Sequence, residues 1–324
     1  MAHNLKTNQD GKQAMIYNEQ GGKPWHSLGT SVDGPMTTEI AKQVWPFTYY
    51  QQDVHSPTGE KIEGYKSIRI SDTNKIMAVG GEGYTIIQPE EVAAFAEDLH
   101  EKGVVCETAG ALGDGERIWM LLHAPDYKFE VFKGDEHRMY TLLSNAYDLS
   151  AALEARYTDI RVVCENTINQ ATHGNPAVIK LRHTINVKSR MNMAAEIFKG
   201  YQRANETYKE AMRYLAKHPI TDAVIHEFEV GMFGDLEKTE PGRGQTILKN
   251  KLDKFESLMF TGKGTEIAGV VGSAYGMLNA YTEWSDYFST VKGTEDRTKA
   301  IIFGQASKDK TKALGLTLQL VGAS

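Results

Sequence analysis

Arg156, Arg161, Lys180, Arg182, His183, Lys188 and Arg190 fall in one short stretch of this chain, with Tyr157 among them. Guanidinium and ammonium groups neutralise phosphates, and a tyrosine ring offers a face on which a base can stack. The chemistry this combination suits is the holding of a single-stranded nucleic acid. Internal ion pairs and a solvated charged face are the alternatives. A second candidate is Ser144-Asn145-Ala146-Tyr147-Asp148. Placed after a strand, the set could hold a catalytic carboxylate in Asp148, although Asn and Asp at such positions more often hydrogen-bond to turns. Trp25-His26 either stacks on a base, fills a partner's groove or pins its own segment down. Cys106 and Cys164 are too few for a structural zinc cage and read as reduced, buried thiols.

Several chemistries have no sequence support. The chain holds no G-x-x-x-x-G-K-[ST] phosphate loop, no strand-linked G-x-G-x-x-G, no H-E-x-x-H and no G-x-S-x-G. No cofactor and no metal site is expected. Gly262-Lys263-Gly264-Thr265 reads as a plain loop, because the upstream glycine of a phosphate loop is missing. The formal charge is -6 over 324 residues, but it is unevenly spread. Residues 1–150 carry 13 Lys+Arg against 22 Asp+Glu, whereas residues 151–217 carry 11 against 6. Positive charge is therefore concentrated where the basic candidates lie.

The elements that must position these residues form an α+β fold. An antiparallel strand-rich first half with interspersed helices is expected to precede a helical second half with one long helix. Residues 1–50 read as an arm or peripheral layer, 51–187 as an α+β core and 188–324 as a helical region. Tyr65–Ile70 and Lys75–Val79 flank a turn, and Val104–Leu112 and Arg117–His123 flank Gly113-Asp114-Gly115, so both pairs predict hairpins. Pro89-Glu90-Glu91 opens a helix to about Lys102. Strands are expected over His137–Leu143 and Leu153–Tyr157. Asp159 then caps a predicted short helix carrying Ile160, Val163, Cys164, Thr167, Ile168 and Ala171 on one face. Arg161 in its first turn would oppose the helix dipole and so call for an anion. Ser189–Lys217 predicts the long helix, in which Ala194, Phe198, Tyr201, Asn205, Tyr208, Met212 and Leu215 make a heptad seam. That seam predicts either a contact between subunits or packing on the chain's own helices. Further helices are expected over Asp222–Met232, Gln245–Leu258 and Ala268–Ser285. No apolar run is long enough to span a bilayer and no signal peptide opens the chain, which predicts a cytoplasmic protein.

Pro24-Trp25-His26-Ser27-Leu28-Gly29, Thr108-Ala109-Gly110, Asn145 with Asp148, Arg161-Val162-Val163-Cys164-Glu165-Asn166-Thr167, Arg182-His183-Thr184 and Ala274-Tyr275-Gly276-Met277-Leu278-Asn279-Ala280 occur in this order. Together they resemble the phage/plasmid-like protein family classed as a domain of unknown function, of the DUF932 type. The Arg-Val-Val-Cys-x-Asn-Thr run, with Cys164 and Asn166, is its most specific part. The chain departs from that family at Tyr147, where His is usual, and at Leu149, where Gly is usual. The resemblance implies a phage or mobile-element protein that works beside replication or recombination proteins. It also implies a fold-level similarity to single-strand annealing proteins of the Redβ and Rad52-like type. The expectation is a non-enzymatic protein that binds single-stranded DNA and anneals strands as a homo-oligomer. The alternative is a non-catalytic interaction protein that blocks or decoys a host system, for which an acidic first half suits DNA mimicry.

Overall fold

The computed structural model describes residues 5–18, 29–34, 37–100, 103–161, 166–169, 171–172, 175–176, 178–184, 194–290, 301 and 304–322. In chain order the elements begin with β1 (Met15–Asn18), β2 (Thr30–Val32), α1 (Thr38–Val44), β3 (Tyr49–His55), β4 (Lys61–Ile70) and β5 (Ile76–Gly81). They continue with α2 (Pro89–His100), β6 (Val105–Leu112), β7 (Arg117–Glu130), β8 (Glu136–Ala146), β9 (Leu153–Arg161) and β10 (Asn166–Asn169). The short β11 (Ala171–Thr172) and β12 (Asn175–Pro176) precede β13 (Val178–Leu181). Helices α3 (Ala194–Lys217), α4 (Asp222–Met232), α5 (Arg243–Thr261), α6 (Ala274–Glu283), a π-helical turn (Trp284–Phe288) and α7 (Gln305–Leu320) complete the chain. The α+β class read from the sequence is the class observed.

The main sheet has the order β10-β9-β8-β7-β6-β1-β2, with β13 also paired to β9. A three-stranded sheet has the order β3-β4-β5. Both predicted hairpins form, as the β4–β5 and β6–β7 antiparallel pairs. Residues 139–146 of β8 are buried without alternation, the pattern of a strand covered on both faces. The segment expected as an arm contributes a strand to this sheet. Met15 to Tyr17 pair antiparallel with Thr108 to Gly110, β2 joins β1 in parallel, and Ala14, Met15 and Ile16 are core residues.

Two compact units divide the chain. One comprises 1–125, 140–156 and 178–201, and the other 126–139, 157–177 and 202–324. In the first unit, Gln88 bridges to β3, its side-chain carbonyl accepting from the Tyr49 amide at 3.0 Å and its amide donating to the Tyr49 carbonyl at 2.7 Å. In the second, aromatic rings of Phe228, Phe233, Phe255, Tyr281 and Trp284 pack among α4, α5, α6 and the π-helical turn. Thr221 and Ser273 cap α4 and α6 by accepting from Val224 and Gly276 amides.

Two predicted elements are corrected. The short helix capped by Asp159 does not form: β9 runs through Asp159 to Arg161, and β10 pairs antiparallel with it, Thr167 opposite Ile160 and Ile168 opposite Asp159. Ile160, Thr167 and Ile168 are β-branched, and pairing between β9 and β10 favours them extended. The anion argument built on a helix at Arg161 therefore falls. The helix expected from Ala268 begins at Ala274, since residues 264–272 form turns with Gly264, Gly269 and Gly272 at positive φ.

Candidate nucleic-acid interface

Antiparallel pairing of β13 with β9 places Lys180 opposite Glu154 and Val178 opposite Arg156. The Glu154 carboxylate, 3% exposed, accepts from Arg156 at 2.6 Å and pairs with Lys180 at 3.1 Å. Burial pushes Glu154 upward, but the hydrogen bonds and charges of Arg156 and Lys180 outweigh it and hold the carboxyl below its ordinary range. Two of the predicted phosphate ligands are thus joined by one buried anion. Arg182 next to them is exposed, whereas His183 is buried, stacked on Tyr84 with centroids 4.6 Å apart, and bonded through Nδ1 to the Thr85 carbonyl at 2.9 Å. Burial lowers the His183 imidazole below its usual value, so it adds no cation at neutral pH. Tyr157, in the second unit, is buried and presents no face to a base. The side chains of Arg161 and Asn166, and all of Cys164, Lys188, Arg190, Trp25 and His26, lie outside the described residues.

The Asn145–Asp148 motif is a folding element of the first unit. Asp148 accepts from the Ser150 amide at 3.0 Å and from its hydroxyl at 2.5 Å, closing an Asx-type turn. Tyr147, fully buried, stacks on Tyr49 at 3.4 Å and donates its hydroxyl to the Ile87 carbonyl at 2.8 Å. Asn145 reaches the same carbonyl at 3.4 Å. A buried phenol anchored on a carbonyl is held well above its ordinary range by burial, and this position supplies packing in place of an imidazole. Leu149 has φ 62°, in the left-handed region that favours glycine, so its side chain is strained there.

The heptad seam is used inside the chain. Asn205, Tyr208, Met212 and Leu215 are all buried within the second unit, so over these positions the seam is intramolecular and the subunit-contact expectation is corrected. Over these four positions the stripe is buried against the rest of the second unit. The side chains of Phe198 and Tyr201 lie outside the described residues.

A different basic surface emerges on α5. Leu248, Leu252, Phe255, Leu258 and Met259 turn inward. Arg243, Ile247, Asn250, Lys254, Ser257 and Thr261 are spaced 4, 3, 4, 3 and 4, so they share roughly 80° of arc at 3.6 residues per turn. No carboxylate lies within that arc; Lys251 flanks one edge and Asp253 the other, each about 40° beyond it, and Glu256 projects elsewhere. The Lys254 ammonium stands 3.9 Å from the centroid of Phe288, and Lys263 stands 4.8 Å from that of Tyr287, both rings belonging to the π-helical turn. Phe288 is 46% exposed and Phe260 63%. The sequence signal was available: marking the apolar face of Gln245–Leu258 leaves these cations on one edge. The aromatic partners were not visible, because the π-helical turn that presents them is set by tertiary packing.

Among the described residues, no cluster of three or more His, Cys, Asp or Glu is arranged to hold a metal, and no helix is long and apolar enough to cross a membrane. The family model for a domain of unknown function (DUF932) matches residues 76–302. The chain belongs to that family. No curated protein and no solved structure matches it. The family match covers the β5–α6 span, including the Glu154 cluster and the α5 stripe.

Proposed function

We propose that this DUF932 protein is a non-enzymatic phage or mobile-element protein that binds single-stranded DNA, and that its α5 stripe is the contact surface. The observation that carries the reading is the carboxylate-free line from Arg243 to Thr261 with Lys254 seated over an exposed Phe288. Such an edge tracks a phosphate backbone with cations while an aromatic ring receives a base, without base-edge readout. Arg182 adds exposed positive charge in the first unit. Asp148, the one acid singled out for catalysis, is engaged in its own turn, which supports a binding role over a catalytic one. Annealing of complementary strands beside other replication or recombination proteins is the finer form of this proposal, and needs bases left exposed on the bound strand.

Fluorescence anisotropy with a labelled oligonucleotide at two salt concentrations tests it. Binding should weaken with salt, and Lys251→Glu with Lys254→Glu should flatten the slope by about 0.7 per lost contact. Lys249→Glu, on the same helix but off the stripe, is the control. Absence of salt-dependent binding, or equal loss in the control, defeats the proposal.

A further inference from the structure

We infer that the open edge of β5 is the surface through which two copies of this chain associate, the two strands pairing antiparallel about a two-fold axis at Val79. The three-stranded sheet has two edges, and the chain treats them differently. On β3 the Gln88 side chain closes the edge at Tyr49, accepting from its amide and donating to its carbonyl. Among the described residues β5 pairs with β4 alone, so its far side carries no strand.

The register fixes which backbone groups point outward. Tyr65 stands opposite Gly81, and the Glu82 amide donates to the Gly64 carbonyl at 3.0 Å, so Tyr65 and Gly81 form a non-hydrogen-bonded pair. Alternation then turns the N–H and C=O of Gly80 and Ala78 toward β4 and those of Val79 and Gly81 away from it. The register shift between Ile68 and Arg69 lies at the start of β5 and leaves Ala78 to Gly81 in regular pairing. Among the described residues no hydrogen bond reaches the outward groups of Val79 and Gly81. Such a row of donors and acceptors is a template for one more strand.

The side chains and charges of the strand fit a second copy of itself. Edges that must stay single are blunted by charge or proline, and Ile76-Met77-Ala78-Val79-Gly80-Gly81 contains neither. Pairing opposite Arg69 and Ser67 puts Ile76 and Val79 on the same outer face as Tyr65, and the three are 47%, 48% and 52% exposed. Charge stands only at the two ends, with Lys75 before the run and Glu82 after it. A two-fold axis at Val79 lets each Val79 exchange both of its outward bonds with its own symmetry mate. Glu82 then falls opposite Ile76 of the other copy and beside that copy's Lys75, so unlike charges meet at both limits of the ribbon. A parallel arrangement would set Lys75 against Lys75 and Glu82 against Glu82. Lys75 also bonds Asp114, but its side chain is 55% exposed and an ammonium has three donors, enough for a second carboxylate. The pairing joins two three-stranded sheets into one and covers Ile76 and Val79 of both copies.

A charge swap at the axis tests this with no nucleic acid present. Sedimentation velocity of the full chain over roughly 1–100 μM should show monomer passing into dimer, the range in which a small interface equilibrates. Val79→Lys alone and Val79→Glu alone set like charges against each other across the axis, and each should weaken association about tenfold or more with circular dichroism unchanged. An equimolar mixture of the two variants should recover the dimer, because opposite charges then meet. Amide hydrogen exchange reads the same contact in the unaltered chain: the Val79 and Gly81 amides should slow as concentration rises, while the Gly80 amide, already turned to β4, changes little. A wild type that stays monomeric throughout, a dimer that both variants retain, a mixture no more associated than either variant, or exchange at Val79 and Gly81 that ignores concentration overturns the inference.

Discussion

The Glu154 cluster and the α5 stripe are built from the same kinds of residue and differ in one anion. On β9 and β13, Arg156 and Lys180 converge on a carboxylate that is almost fully buried, so their charge is spent within the protein. On α5, the helical period sets Asp253 beside one edge of the stripe and carries Glu256 off it, and Lys254 meets an aromatic ring instead of an acid. Local density of Lys and Arg therefore says little about a binding surface. What matters is whether the backbone period places a carboxylate within reach.

Reversing charge on the stripe should have the largest effect on that comparison. Lys251→Glu with Lys254→Glu is expected to weaken single-strand binding about a hundredfold at low salt, against a few-fold for Arg182→Glu, with anisotropy titrations as the measurement. Comparable losses would erase the distinction between the two regions. A buried acid of α4 beside Glu256 of α5 gives the next effect. Burial and the neighbouring Glu256 push Glu229 up to about 7, above its ordinary value of 4.5. The stabilisation is full below about 4.5 and is lost as pH rises through 7, since the folded state there binds a proton the unfolded chain has released. Glu229→Gln should thus raise stability by about 2 kcal/mol at pH 8 and leave it unchanged at pH 4, read by denaturant melts at both. Phe288→Ala should lower single-strand affinity about tenfold while sparing binding of inorganic polyphosphate, which has no bases to stack.

The smallest effect sharpens the contrast from the other side. Glu154→Gln removes the shared anion and leaves Arg156 and Lys180 unpaired on the first unit. Single-strand affinity is then expected to rise a few-fold and the salt slope to steepen. The same substitution removes a depressed carboxyl, whose stabilisation is present above its unfolded value and disappears as pH falls through the folded one. Wild type and variant should therefore converge in stability at strongly acid pH. A variant that binds no tighter would show that these two cations face away from any strand.

Much of the frame was legible because its signals are local. Asp-Gly between apolar runs, Pro89 at a helix start and the 4-3 spacing of α3 each report on a few neighbouring residues. The misread stretch after Asp159 shows the limit: Ile160, Thr167 and Ile168 satisfy a helical spacing as well as a strand, and only pairing with β9 decides between them. Strand β3 and helix α7 escaped notice for a related reason, since Gln51-Gln52-Asp53 and Lys308-Asp309-Lys310 interrupt their apolar patterns. Lys310 is in fact buried against Asp286 at 2.6 Å, a pairing no local pattern announces. Of the site, the basic residues were visible but their carboxylate partner was not.

Strand β1 imposes an order of events during synthesis. Met15 leaves the ribosome early, yet its antiparallel partner Gly110 and the rest of β6 follow only after most of the first unit has been made, and among the described residues β2 joins the sheet through β1. The nascent chain must carry an unsatisfied strand through that interval, a slow non-local closure of the kind that exposes intermediates to aggregation. Removal of the first eighteen residues would leave β6 as a raw sheet edge, open to the corresponding edge of another copy.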